Sequence, residues 1–410
     1  MTRDPRYHAV TIEPNPSNRR LSIVWGDNHR SEFPYIWLRH ERNFPLMGRP
    51  EQTDQSRYQL PENPNAIQLE TVEVQASTAL ISWEGENSQT RHDLVWLRNH
   101  CLSEQARRER RPLPALWNQQ KAAGFQWFDA DSIADPECKL MIHQHLRDHG
   151  IVLINGLSDQ PETLRRVAPC FGPIRNTHFG DLFDIRSRPD DQQGTGQNIG
   201  ATASNAQSPH TDEGWRHGPP GISMMHCLCA DPSGGGASIY VDGISAAEAL
   251  REEDPAAFEL LSTVPFTFCA ERNPEERFIS RSRVICTDSD QVVRGIRVTD
   301  RTLQPINLPP EQIEDAYTAL GRFYALLLGP EYRLEHLLQP GEMVVFDNHR
   351  VLHARRAFNA AAGERWIQQL SVDREEFHSV FRQLAESLNR HDLANWEQDA
   401  GALSQPGVLS

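Results

Sequence analysis

The sequence predicts a mainly β protein with helices. A small β-rich domain over residues 1–115 precedes a larger domain over 116–410, a β-sandwich or barrel with helices packed outside it. Two observations carry this division. Before about residue 115 stand two similar passages, IVWGDNHRSEFPYIWLRH and LISWEGENSQTRHDLVWLRNH. Each is a β-rich run, a polar turn and a second run, the pattern of a hairpin. Beyond 195, short apolar runs recur between Gly, Pro and Asp turns, and helical periodicity is confined to a few segments.

The elements follow in order. ARRERRPLPALWN (106–118), basic and then proline-broken, reads as a linker. Residues 137–149 form an amphipathic helix with Leu140, Met141 and Leu146 on its apolar face. Ile151-Val152-Leu153-Ile154 is a buried strand ended by Asn155-Gly156, and a short helix starts at Pro161. GISMMHCLCA, ASIYVDG, PFTFCA, SRVICTD and MVVFD are strands, interrupted by helices at ISAAEALREE and PPEQIEDAYTALGRFYALLL. A polar amphipathic helix follows Asp373.

Composition excludes several function classes. Lys+Arg minus Asp+Glu is 41 − 56 = −15, the wrong sign for tracking phosphates, so no nucleic-acid partner is expected. No run reaches the ~18 apolar residues of a membrane span, and MTRDPRYHAV lacks a signal-peptide core, so a soluble, cytoplasmic protein is expected. Seven cysteines, an odd number with no CxxC pair, fit a reducing compartment, with Cys227 and Cys229 as small strand hydrophobes. No phosphate-cradling glycine loop appears, and GGG at 234–236 reads as a turn.

The chemistry-bearing tripeptide is His210-Thr211-Asp212. In a strand, residues i and i+2 share a face, which sets an imidazole beside a carboxylate. That is how two ligands of a 2-His-1-carboxylate triad are supplied, which leaves three metal positions open; a histidine hydrogen-bonded to a nearby aspartate on a surface turn gives the same tripeptide. A triad needs a third ligand from far along the chain, and EMVVFDNHRVLHARRAF offers His349 and His353, between which spacing does not choose. Arg365 opens RWIQQLSVD, and its guanidinium suits a dicarboxylate's distal carboxylate.

HTD, GPPGISMMHC, GGGASIYVDG and VVFDNHRVLHARRAF followed by Arg365 resemble, in that order, the γ-butyrobetaine and trimethyllysine hydroxylase branch of the iron(II)/2-oxoglutarate dioxygenases. WLRNHCLSEQARR and HGIVLINGLSDQPE extend the resemblance over nearly the whole chain. It implies a taurine dioxygenase-like double-stranded β-helix (jelly-roll) domain, a homodimer, and Fe(II), 2-oxoglutarate and O2 as cofactor and co-substrates. It further implies hydroxylation of an unactivated C–H of a small amine- or betaine-like molecule, with release of succinate and CO2. Carried over by position, the resemblance makes His210, Asp212 and His353 the iron ligands and Arg365 the partner of the distal carboxylate of 2-oxoglutarate. Ser238 and Met225 fall beside that co-substrate, and Asn198 on a polar residue near the site.

Two departures stand out. The branch commonly holds zinc in its N-terminal domain through closely spaced cysteines after the first WLR, but here His40-Glu41-Arg42-Asn43 follows, which argues against such a site. His29, His40 and His92 are then expected to face solvent. The branch's aromatic cage for a quaternary ammonium is matched by Phe179, Phe183, Ala201, Glu213 and Ser371, with Trp215 as a further face. A carboxylate, a methyl and a hydroxyl there suit a hydrogen-bonding amine better than a trimethylammonium. The bland alternative puts Glu213 in solvent beside Arg216. Alternatives for the whole chain are oxidative desaturation or cyclisation with the same cofactors, a non-catalytic ligand-binding protein of this fold, and a hydrolytic zinc enzyme.

Overall fold

The computed structural model describes residues 4–41, 63–87, 89–177, 180–187, 203–273 and 276–397. Contacts gather into two compact units, one running to Pro112 and including Asn395–Glu397, the other Leu113–Ala394.

The first unit repeats one motif. Strands Ala9–Asn15, Arg20–Trp25 and Arg30–Pro34 form an antiparallel sheet, and Leu69–Gln75, Thr78–Trp83 and Gln89–Asp93 form another. Each leads into a six-residue helix, Tyr35–His40 or Leu94–Asn99. The Trp-Leu-Arg of each repeat therefore lies on a helix rather than on a second strand. Pro34 stands at one helix start, and at the other the Asp93 carboxylate accepts from the Trp96 amide. The repeats also share a buried bond: Trp25 Nε1 donates to Ser31 Oγ at 2.8 Å, and Trp83 Nε1 to Thr90 Oγ1 at 3.0 Å. His92 is not solvent-facing as the sequence suggested. Like Thr90 it lies on the inward face of its strand, fully buried, and burial pushes its pKa down to about 4. His29 and His40 are half-buried.

The second unit is mixed helix and strand. Ten strands build its two main sheets: β1 (Trp127–Asp129), β2 (Ile151–Asn155), β3 (Phe183–Ser187), β4 (Gln207–His210), β5 (Ile222–Cys229), β6 (Ser238–Asp242), β7 (Arg333–His336), β8 (Met343–Asp347), β9 (Val351–Arg355) and β10 (Arg365–Val372). The larger sheet has the order β1-β2-β8-β5-β10-β3 and the smaller β4-β9-β6-β7. All pairs are antiparallel except β1 with β2.

Strand parity sorts the side chains. Ile222, Met224, Val345 and Val372 face outward onto helices α1 (Pro136–His149) and α5 (Arg374–Ser387), through Ile142, Leu146 and Phe377. Met225, Cys227, Phe346 and Ile367 face inward and share a core with Tyr240 and Val351 of the smaller sheet. The smaller sheet's other face, with Ile239, Val241, Leu352 and Ala354, packs on an insertion between β6 and β7. That insertion holds α2 (Gly243–Glu253), α3 (Pro255–Thr263), two hairpins and α4 (Pro310–Leu328). Met141 departs from the predicted apolar face of α1: it is exposed, and Ile142 and His143 are buried in its place.

A buried ion pair fixes the turn that delivers β9. Arg350 Nη2 lies 2.8 Å from Asp242 Oδ2, and its guanidinium also donates to the carbonyls of Asp148 and Ala115. Asp242 in turn accepts from the Ile244 amide at the start of α2. Gly150, at φ +74°, caps α1 beneath this guanidinium, and a Cβ there would meet Arg350 Cδ at 2.6 Å.

Candidate metal and co-substrate site

The two sheets enclose a cleft, and His210, Asp212 and His353 meet inside it. One ligand atom from each lies within 4.8 Å of the others. His210 Nε2 is 3.8 Å and His353 Nε2 3.6 Å from Asp212 Oδ1, and the two imidazoles stand 4.3 Å apart between centroids. Direct strand pairing of His210 with His353 brings the histidines together. His349 is elsewhere: buried, with Nε2 3.2 Å from the Pro219 carbonyl.

Asp212 does not lie on the strand, as the i, i+2 argument assumed. β4 ends at His210, and Asp212 sits in the turn that follows. Two side chains hold that turn in a strand-like course. Thr211 Oγ1 donates to the Val298 carbonyl and accepts from its amide. Asn348 accepts from the Asp212 amide at 2.7 Å while donating to the carbonyls of Asp212 and Pro220. The convergence survives because these side chains, together with the Thr211 amide on the Val298 carbonyl at 2.7 Å, hold the backbone beyond the end of β4.

Hydrogen bonds also select which atoms remain for a metal. His210 Nδ1 donates to the Ser208 carbonyl at 2.9 Å, which leaves Nε2 with its lone pair facing Asp212. Gln369 Nε2 reaches across from β10 to Asp212 Oδ2 at 2.7 Å, so Oδ1 is the oxygen turned to both histidines. Burial pushes the pKa of His353 down to about 4, and its neutral imidazole is the form that binds metal. Two imidazoles and one carboxylate oxygen, without a thiolate, are the donor set of non-haem Fe(II) sites.

Arg365 opens the inward row of β10 and is buried. Among the described residues no carboxylate lies within ion-pair distance of it; its guanidinium carbon stands 5.5 Å from the Phe358 ring centroid. Desolvation lowers its pKa, while Cys227, Tyr240 and Asp231 pull the other way. Gly236, at φ +75°, gives it room, since a Cβ there would meet Arg365 Nε at 3.1 Å. Ser238 and Met225 are buried and line the same cleft.

Of the residues matched to a cage, Phe183, Glu213, Trp215 and Ser371 line the cleft. Glu213 is only 7% exposed and ion-pairs with Arg216, so it is neither in solvent nor a bare carboxylate. Burial raises its pKa against the pull of Arg216. Phe179, Asn198 and Ala201 lie outside the described residues. Sequence reasoning missed Gln369, Asn348, Arg355 and Ser223. For Gln369 a signal existed: counting by twos from Arg365 puts it on the inward face. Arg355, also buried in the cleft, donates to the carbonyls of Ala203 and Asn205.

No helix among the described residues is long and apolar enough to cross a membrane. The family described as "Taurine catabolism dioxygenase TauD, TfdA family" matches residues 109–371, more than half of the chain. The γ-butyrobetaine dioxygenase of Pseudomonas sp. (strain AK-1) is 33% identical over 367 residues, covering 88% of this chain and 92% of that protein. The mitochondrial trimethyllysine dioxygenase of Bos taurus is 28% identical over 365 residues, 83% of each chain. Among solved structures, an asparagine oxygenase in complex with Fe(II), 3-hydroxyasparagine and succinate superposes with a TM-score of 0.47 at 17% identity, over 59% of this chain and 82% of that one. With its donor set, its matched span and its relatives agreeing, the chain belongs to the TauD/TfdA family, on the branch of the γ-butyrobetaine and trimethyllysine dioxygenases, as an iron(II)- and 2-oxoglutarate-dependent dioxygenase.

Proposed function

We propose that the chain hydroxylates an unactivated C–H of a small amine- or betaine-like substrate, with release of succinate and CO2, in a jelly-roll domain spanning 116–410 that follows a small domain over 1–115. The convergence of His210, Asp212 and His353 in a cleft that also contains Arg365 carries this reading. In it the three residues hold Fe(II), Arg365 and Ser238 receive the distal carboxylate of 2-oxoglutarate, Met225 lines that pocket, and Asn198 lies near it. Phe183, Glu213, Trp215 and Ser371, with Phe179 and Ala201, border the substrate. A reducing, cytoplasmic setting fits the seven free cysteines. The homodimer rests on the resemblance to the branch, and sedimentation measures it.

Bound there, iron and 2-oxoglutarate supply the O2-dependent oxidising power that the side chains lack. The chain's own part is positioning. Ser208 fixes the His210 tautomer, Gln369 turns Asp212, and Arg365 orients the co-substrate by a paired, desolvated charge. Phe346, which packs on Tyr240, stands 5.2 Å from the His353 imidazole between ring centroids and helps to fix its orientation. Replacing Gln369 with Ala should weaken Mn(II) binding about 10–100-fold, the usual penalty for losing an outer partner of a ligand. An unchanged affinity in titration would detach Gln369 from the site.

The test of the substrate class is the series 4-aminobutanoate, its N-methyl and N,N-dimethyl derivatives, and the trimethylated γ-butyrobetaine, each assayed for stimulated succinate release. γ-Butyrobetaine should be a poor member. Ala201, Glu213 and Ser371 offer no aromatic faces, and each lost cation–π contact is worth about 0.5–1 kcal/mol exposed or about 2 desolvated. Direct attraction by Glu213 compensates little, because Arg216 already pairs with it. Efficient turnover of γ-butyrobetaine, matching or exceeding the amines, would refute this.

A further inference from the structure

We propose that the hydroxyls of Ser223 and Ser371 form a subsite that accepts N–H groups from the substrate's ammonium, so the enzyme selects amines that keep N–H donors. The inference deepens the amine-directed reading above and rests on it. Ser223 on β5 and Ser371 on β10 are direct cross-strand partners. Both share the inward parity of Met225, Gln369 and Arg365 and line the cleft. Side chains so paired have Cβ atoms about 4.5–5.5 Å apart, close enough to grip one small polar group.

Ser223 is fully buried, and its Oγ has no hydrogen-bond partner among the described residues. Buried polar atoms are almost always paired, and the exceptions mark a functional group or an ordered water. Ser371 is 9% exposed; its carbonyl already accepts from the Arg175 amide at 2.8 Å, and its hydroxyl makes no hydrogen bond among the described residues. The charged neighbours on this side are committed elsewhere, Glu213 to Arg216 and Arg175 to Asp373. On this cross-strand pair the two hydroxyl oxygens are the acceptors open to a ligand, each with lone pairs to offer. A primary or secondary ammonium satisfies them. A quaternary ammonium has no N–H and would cover them while leaving them unpaired.

The subsite lies at a fixed offset from the metal ligands. Gln369 touches Asp212, and Ser371 is two residues further along the same strand, roughly 7 Å away. A nitrogen held there sits a few bonds from a carbon facing His210 and His353.

The test crosses two changes in the full-length enzyme: the N-methylation series, and Ser223→Ala, Ser371→Ala and the double variant, read as kcat/KM for succinate release. In the unmodified enzyme, efficiency should fall about tenfold or more from the N–H-bearing amines to the trimethylated one, and in the double variant that ratio should collapse to within about threefold. Without substrate, Ser223→Ala should melt at the same temperature or higher, because an unpaired buried hydroxyl has been removed. A methylation ratio untouched by the substitutions overturns the subsite. So does an equal loss across the series, which would place the hydroxyls on the carboxylate end, and so does a lowered melting temperature, which would assign Ser223 to a structural water. If no member of the series stimulates the unmodified enzyme, the substrate class itself falls and takes this inference with it; if members do and the ratio stays, only the subsite falls.

Discussion

Replacing His353 with alanine is expected to abolish iron-dependent turnover, while replacing His349 leaves it in place and lowers stability. The two histidines are four residues apart in NHRVLH but answer to different surroundings. His353 stands opposite His210 in the sheet and 3.6 Å from Asp212 Oδ1. Its removal leaves two ligands and a gap facing the cleft. Even outer partners of metal ligands cost about 10–100-fold in affinity, and a ligand itself costs more. His349 instead packs against the Pro219 carbonyl. Losing that buried bond costs about 1–3 kcal/mol of folding stability. Metal titration and thermal melting on both variants separate the effects. Retained iron binding in His353→Ala, or its loss only in His349→Ala, would reverse the assignment.

Arg365→Ala is expected to raise the 2-oxoglutarate requirement by roughly two to three orders of magnitude and to leave metal binding nearly intact. Truncating one member of a buried, hydrogen-bonded charge pair costs about 2–5 kcal/mol, mostly because the other charge is left buried and unpaired. At about 1.4 kcal/mol per tenfold, that spans roughly 1.5 to 3.5 orders of magnitude and brackets the expected loss. The protein without co-substrate should behave oppositely. Arg365 is then a desolvated cation with no carboxylate at ion-pair distance among the described residues, so an apolar residue of similar volume, as in Arg365→Met, should melt at the same temperature or higher. Arg365→Lys keeps the charge but loses the fork and should fall between. Unchanged co-substrate affinity in Arg365→Ala would remove the role.

What the sequence disclosed and what it withheld divide along physical lines. Strands such as Ile222–Cys229 and Met343–Asp347 were legible because continuous apolar runs buried on both faces have few other folds open to them. His210 and Asp212 were legible as a pair, but for a partly mistaken reason: Asp212 lies past the strand and is held by Asn348, 136 residues away. Gln369 on Asp212 Oδ2 is another such contact, and local spacing carries no record of either. His92 was misplaced because, without a zinc site to occupy it, the histidine was assigned to solvent, whereas its register with Ala79 turns it inward. Glu213 shows the opposite limit. Its neighbour Arg216 was visible in the sequence, but the burial of Glu213 and the seat of the Arg216 guanidinium 4.8 Å from the Phe278 ring centroid depend on residues far along the chain.

In the proposed function one metal centre formed by His210, Asp212 and His353 shares a cleft with a carboxylate site at Arg365. Anaerobic addition of Fe(II) and then 2-oxoglutarate, followed by visible absorption, tests it most directly, since chelation of iron by the co-substrate's keto acid produces a charge-transfer band. The unmodified protein should develop the band at one iron per chain. His353→Ala should not develop it, and Arg365→Ala should do so only at far higher 2-oxoglutarate. A protein that binds iron but shows no band with 2-oxoglutarate, or a band that persists in His353→Ala, would contradict the account.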